Sequence, residues 1–136
     1  MKRSAFLGLM LTTPIIACSA YSVMAQTTKQ PISVNIELLK EDGQFKIKSS
    51  LMTFAVGVPY RFKVYNTGSV KHDWAIMPRG ETDLRQALIA IEEDNLPPNA
   101  AVTSEVMTFD RAGEFEFACH YRNHYEKGMK TPIVVT

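Results

Sequence analysis

Three residue types that bind metal ions lie close together near the end of the sequence. Cys119, His124 and Met129 follow one another at equal five-residue steps within "FEFACHYRNHYEKGMK". Thiolate and thioether sulfurs are soft donors and imidazole suits copper, whereas zinc sites are usually built without methionine. A thiolate, two imidazoles and a weak axial thioether form the donor set of a blue-copper centre. The spacing therefore predicts a mononuclear copper site that still needs a second histidine.

The second histidine has two candidates, because the sequence holds three histidines in all. His72 lies in "GSVKHDWAIMP", where a predicted turn leads into a predicted strand, and this junction can lie beside the C-terminal loop. His120 directly follows Cys119 and should point to the opposite face of the strand. We therefore predict His72 as the ligand, and contact between His120 and the metal stays open.

Enzymatic interpretations of the same residues are not favoured. A multicopper oxidase needs several His-x-His pairs and a binuclear copper site needs a second cysteine in the loop, and this sequence contains neither. A thiol hydrolase would pair Cys119 with a histidine. A strand position, however, offers no helix N-terminus to lower the pKa of the thiol. We predict that the protein is not an enzyme, with an inert buried thiol as the plain alternative for Cys119.

Alternation of apolar and polar residues predicts mainly short β-strands. The alternation is clearest over residues 32–38, 45–48, 60–64 and 115–119, and a further strand is predicted over 101–109. Seven or eight short strands at regular spacing predict an all-β fold, an antiparallel sandwich or barrel. The two-residue period places Cys119 on the same inward face as Phe115 and Phe117, at the end of its strand.

One segment carries the period of a helix instead. Leu84, Ala87, Leu88 and Ile91 fall at positions i, i+3, i+4 and i+7, with charged residues elsewhere. This stripe predicts one short amphipathic helix, over about 83–93, inserted between strands and packed onto the sheet. The sequence "DNLPP" would end it.

The first 25 residues are typical of a secretory signal peptide, because Lys2 and Arg3 precede an apolar run that ends in the small-residue cleavage site "VMA". Residues 26–136 then form a single domain with 13 basic and 14 acidic residues, a balance that argues against nucleic-acid binding. We predict a periplasmic monomer. The sequence "IIAC" resembles a bacterial lipobox, so a lipoprotein attached to the membrane through Cys18 is the alternative.

The segments "CHYRNHYEKGMKTPIVV" and "NTGSVKHDW" resemble the copper loop and the first-histidine region of the cupredoxins, in particular rusticyanin-like and auracyanin-like proteins with a C-x4-H-x4-M loop. The resemblance implies a Greek-key β-sandwich that holds one copper ion. It implies that His72, Cys119 and His124 are the equatorial ligands and Met129 the axial one. Asp73 would pin the two ligand segments together, with an exposed turn acid as the alternative.

The same resemblance implies a one-electron carrier that cycles between Cu(I) and Cu(II) and exchanges electrons with a cytochrome or an oxidase. A periplasmic copper-binding protein for copper tolerance, working with copper-export components, is the alternative. The loop departs from the family at Arg122 and Asn123, where related loops often carry Pro-Gly. Arg122, Asn123 and Lys127 are therefore candidates for a surface that steers an acidic partner, and an ordinary solvated rim is the plain alternative.

Overall fold

Nine β-strands form two sheets in the computed structural model, which describes residues 29–136. In chain order the elements are β1 (Ile32–Glu41), β2 (Gln44–Ser49), β3 (Thr53–Phe54), β4 (Pro59–Asn66), β5 (Trp74–Pro78), a 3-10 helix (Leu84–Gln86), β6 (Ile89–Ile91), a second 3-10 helix (Glu93–Asn95), β7 (Ala101–Thr108), β8 (Gly113–Ala118) and β9 (Lys130–Val135). The first sheet has the order β2-β1-β4-β7 and the second the order β3-β9-β8-β5-β6. The predicted all-β sandwich is confirmed. Its sheets are mixed and not purely antiparallel as expected, because β1 pairs parallel with β4 and β3 pairs parallel with β9, and it has nine strands instead of seven or eight.

The inward side chains of both sheets meet in one apolar core. In β1 the alternation buries Ile36 and Leu38 completely, because successive side chains of a strand point to opposite faces. Aromatic rings fill the middle of the core, where the centroid of Trp74 lies 5.2 Å from that of Phe62 and 5.6 Å from that of Phe117. Such pairs bury large apolar surfaces, so the strand ends that carry the predicted site rest on a rigid base.

Three strand ends of the second sheet lie side by side. β8 pairs antiparallel with both β5 and β9, and Ala118 lies opposite Ala75 on one side and Lys130 on the other. The start of β5, the end of β8 and the start of β9 therefore share one end of the sandwich. This arrangement brings the segment before β5, which holds His72, next to the loop that holds the other predicted ligands.

The helix predicted over 83–93 is wrong. The segment forms only a short 3-10 turn, Leu84–Gln86, followed by strand β6, which pairs with β5 at the edge of the second sheet. Leu84, the first residue of the helical stripe, is exposed, whereas Ile91 is buried opposite Trp74. A short isolated helix is marginal, and the free edge of β5 offers the same residues backbone hydrogen bonds and an apolar face.

The predicted signal peptide and Cys18 lie outside the described residues. Export, the cleavage site and the alternative lipid anchor therefore stay predictions. Between residues 29 and 136, no helix is long and apolar enough to cross a bilayer.

Candidate metal centre

Cys119 directly follows β8 and is fully buried. Its side chain packs in the same core as Phe115 and Phe117, as the two-residue period predicts. Burial, with the Asp73 carboxylate as the second cause, raises the pKa of Cys119 to about 12. The thiol therefore keeps its proton near neutral pH until a metal ion replaces it, which suits a metal ligand and not a free nucleophile.

The loop between β8 and β9 delivers His124 and Met129. The Cys119 N–H donates to the Met129 carbonyl at 3.0 Å, and the Met129 N–H donates to the His124 carbonyl at 2.9 Å. Gly128 has a φ of +88°, which glycine adopts without strain, so the chain can reverse just before Met129. These bonds fold the loop back onto the end of β8, and Met129 is fully buried there.

His72 is held by the short segment between β4 and β5. The side chain of Asn66 donates to the carbonyls of Val70 and Leu96 at 2.8 Å each and accepts from the Gly68 N–H at 2.9 Å. The His72 N–H donates to the Leu96 carbonyl at 3.2 Å. A Cβ atom on Gly68 would lie 3.2 Å from Nε2 of His72, so a side chain there would press on the imidazole. No motif in the sequence marks Asn66 or Gly68, because their contacts arise only in the folded turn.

The three donor atoms lie at distances that suit one metal ion. Nδ1 of His72 is 3.2 Å from Nδ1 of His124, and Sγ of Cys119 is 3.7 Å and 3.5 Å from these two nitrogens. A metal ion bound at about 2.0 Å to nitrogen and about 2.3 Å to sulfur separates its donors by roughly 3.3–3.7 Å. The fold thus brings together the predicted ligands, with the buried Met129 adding a thioether to the same loop.

Both imidazoles of the cluster are held in the neutral form, which is the form that binds metals. Burial, followed by the charge of His124, lowers the pKa of His72 to about 4. Burial also lowers the pKa of His124, with Lys127, Arg122 and Lys40 as further causes. At neutral pH a metal ion therefore displaces a proton from the thiol only.

Asp73 connects the two ligand segments. It directly follows His72, and its Oδ1 accepts from the backbone N–H of His120 at 2.6 Å. Burial raises the pKa of Asp73, while the hydrogen bond from His120 acts in the opposite direction. Only 9% of Asp73 is exposed, so its position is that of a connecting residue and not that of an exposed turn acid.

Replacement of Asp73 by alanine is expected to lower the free energy of unfolding of the metal-free protein by about 2 kcal/mol, because the His120 N–H loses its acceptor. Asp73→Asn keeps an acceptor oxygen at the same position and should cost clearly less. Chemical denaturation of the two variants measures both values, and equal losses would contradict the connecting role.

His120 does not join the cluster. Its ring stacks on Tyr125, with centroids 4.6 Å apart and an angle of 12° between the planes. The Tyr125 hydroxyl donates to the buried carboxylate of Glu116 at 2.6 Å. Because Glu116 alternates with the core residue Phe117 along β8, this group lies on the outer face of the second sheet. The structure therefore agrees with the prediction, made from the alternation of side chains along the strand, that His120 points away from the metal site.

Two aromatic rings, those of Phe45 and Tyr121, flank His124. The ring of Phe45 stacks on the imidazole with centroids 4.0 Å apart, and Tyr121 meets it edge-on at 5.4 Å. Phe45 reaches the site because the β1–β2 hairpin turns at Asp42 and Gly43, both with positive φ, as a tight two-residue hairpin prefers. No local pattern signals this contact, since it joins two distant parts of the chain.

The candidate partner residues Arg122, Asn123 and Lys127 are all exposed. They lie in the same loop as His124, at the site end of the sandwich. The guanidinium carbon of Arg122 lies 5.2 Å from the centroid of the Tyr121 ring. Their position is compatible with the predicted partner surface and with a solvated rim alike.

No protein-family model and no curated protein matches this chain. Several solved structures are similar to this chain. One is auracyanin A, a "blue" copper protein from Chloroflexus aurantiacus, which is 17% identical and superimposes with a TM-score of 0.60. The match covers 76% of this chain and 99% of auracyanin A. Reduced rusticyanin has 16% identity, a TM-score of 0.56 and coverage of 79% and 81%. A multicopper oxidase from Campylobacter jejuni has 18% identity and a TM-score of 0.59, but the match covers 81% of this chain and only 31% of the oxidase.

At these identities the similarities establish the fold. The chain has the cupredoxin β-sandwich, and the fold expected from the resemblance of its loop and first-histidine segment is confirmed. The compact group of His72, Cys119 and His124, with Met129 beside it, lies at one end of that sandwich.

Proposed function

We propose that this protein binds one type 1 copper ion at His72, Cys119, His124 and Met129 and serves as a one-electron carrier. The observation that supports this most directly is the 3.2–3.7 Å separation of two imidazole nitrogens and one thiol sulfur. Together with a thioether, this donor set favours copper over zinc. A copper ion in such a site supplies reversible exchange of one electron between Cu(I) and Cu(II).

The burial of the ligands favours a carrier over an enzyme. His72, Cys119 and Met129 are 0% exposed and His124 is 5% exposed. A catalytic metal site keeps an open position for water or substrate, and here Phe45 covers the most exposed ligand. The backbone bonds around Cys119 and Met129 fix the donors, so that a change of metal charge needs little movement of the chain.

Export to the periplasm is part of this proposal and is supported by the signal-like N-terminus. The mass of the protein isolated from cells tests it, since cleavage after Ala25 leaves a chain that begins at Gln26. A lipid-modified Cys18 would instead place the same copper domain at the membrane surface.

Residues 26–136 loaded with Cu(II) are expected to show an intense visible absorption band, because a thiolate bound to Cu(II) transfers charge to the metal. Absorption and electron paramagnetic resonance spectra of the loaded protein measure this, with the zinc-loaded protein as a colourless control. A colourless copper-loaded protein with the resonance spectrum of ordinary Cu(II) would contradict the proposed function.

A further inference from the structure

Two aromatic rings form the outer surface above His124. Phe45 stacks on the imidazole at 4.0 Å and meets His72 edge-on at 5.9 Å, while Tyr121 approaches His124 from another side at 5.4 Å. Both Phe45 and Tyr121 are half-buried, whereas His124 is almost completely buried. A protein that approaches this end of the sandwich therefore meets the two rings before it meets the imidazole.

Three cations surround these rings. Nζ of Lys40 lies 5.4 Å and Nζ of Lys127 lies 6.0 Å from the centroid of Phe45, and Arg122 lies 5.2 Å from that of Tyr121. None of the three cations forms an ion pair within the described part of the chain. Their charge is therefore available to a partner. We call Phe45, Tyr121, Lys40, Arg122 and Lys127 the Phe45 surface.

Nearby acidic residues do not cancel this charge. Glu41 pairs with both Lys46 and Lys48, at 2.8 Å and 3.1 Å. Asp42 is exposed in the β1–β2 hairpin and Glu126 is exposed in the β8–β9 loop. Since one of the two lysines at Glu41 is enough to neutralise that carboxylate, the other lysine and the three free cations outnumber Asp42 and Glu126. Because residues 26–136 hold 13 basic and 14 acidic residues, the positive charge at this end is a local feature and does not follow from composition.

We propose that the Phe45 surface is the docking site of the redox partner and that the partner presents an acidic patch, an inference that rests on the proposed electron carrier. Contact at Phe45 places the partner one ring away from His124, and the partner's carboxylates face Lys40, Arg122 and Lys127. One electron then passes between copper and the partner's redox group, so that Cu(I) is oxidised as the partner is reduced, or the reverse. The same cations repel a second copy of this chain at low ionic strength.

Two oxidants of opposite charge, hexacyanoferrate(III) and tris(phenanthroline)cobalt(III), test this surface, since each removes one electron from the copper(I)-loaded protein. Lys127→Glu is expected to slow oxidation by the anion about fivefold at low ionic strength and to speed oxidation by the cation. Arg111→Glu makes the same change of charge in the β7–β8 turn, at the opposite end of the sandwich, and should alter either rate less than about twofold. Equal effects of the two substitutions would overturn the docking site. Failure of the native protein to react with either oxidant would instead contradict the electron carrier itself.

A second measurement does not depend on electron transfer. A ten-residue glutamate peptide is added to the 15N-labelled protein, both copper(I)-loaded and metal-free, and the backbone amide signals are followed. We expect the largest shifts at Lys40, Phe45 and residues 121–127, and we expect Lys127→Glu to weaken them. Shifts centred on the Arg111 end would overturn the proposal. So would binding to phosphatidylglycerol vesicles that is tighter than binding to the peptide, because it would assign the cations to a lipid surface.

Discussion

Substitution of Cys119 by serine is expected to abolish the visible absorption band of the copper-loaded protein and to weaken copper binding at least about a hundredfold. Loss of a residue that only orients a metal ligand weakens metal binding by about 10–100-fold, and loss of the ligand itself should cost more. The hydroxyl of serine is a harder donor than a thiolate and does not ionise near neutral pH. It also cannot replace the sulfur that lies 3.5 Å and 3.7 Å from the two imidazole nitrogens. Absorption spectra and a competition titration with a copper chelator measure the two effects.

Met77→Leu provides the matched control for that experiment. Met77 is as completely buried as Cys119 but packs in a separate cluster with Tyr125, on the other side of the second sheet. Its substitution should leave the band and the copper affinity unchanged, while circular dichroism shows that both variants are folded. If the Cys119→Ser variant kept the band, Cys119 would not be a copper ligand, and the assignment of a type 1 site would be wrong.

The parts of the site that depend on local geometry follow directly from the sequence. The inward direction of Cys119 needs only the two-residue period of β8, since Phe115 and Phe117 on the same face are core residues. The positions of His124 and Met129 follow from a loop that must return to the neighbouring strand β9. His72 is identified partly by elimination, because the phase of the strand directs His120 outwards.

The parts that depend on neighbouring elements do not follow from the sequence. Residues 83–93 carry a helical stripe, and only the free edge of β5 decides that Ile89–Ile91 forms a strand. Phe45 was expected to be an ordinary strand residue. Its contact with His124 depends on the hairpin register, in which Lys40 lies opposite Phe45, and on where that hairpin meets the β8–β9 loop. The alternation of apolar and polar residues predicts neither the hairpin register nor the place where the hairpin meets the loop.

The metal-free protein is expected to lose about 3 kcal/mol of its free energy of unfolding between pH 6.5 and pH 4 through His72 alone. Burial and the nearby His124 lower the pKa of His72 from 6.5 in the unfolded chain to about 4 in the folded protein. In this interval the unfolded chain binds a proton that the folded protein does not bind, so stability falls as the pH falls. The lowered pKa of His124 adds a change of the same sign, and the raised pKa of Asp73 adds one of the opposite sign.

Comparison with His72→Gln isolates the contribution of His72, because glutamine does not titrate while His124 and Asp73 remain. Urea denaturation at several pH values should give a flatter dependence for the variant, and identical curves would show that His72 is not held neutral by burial. Bound copper is expected to steepen the dependence in the native protein, because the coordinated imidazoles and thiolate take up no proton while the unfolded chain still does. Acid should therefore weaken copper binding and lower the stability of the fold together, because protons bind the ligands more readily in the unfolded chain than in the folded, metal-loaded protein.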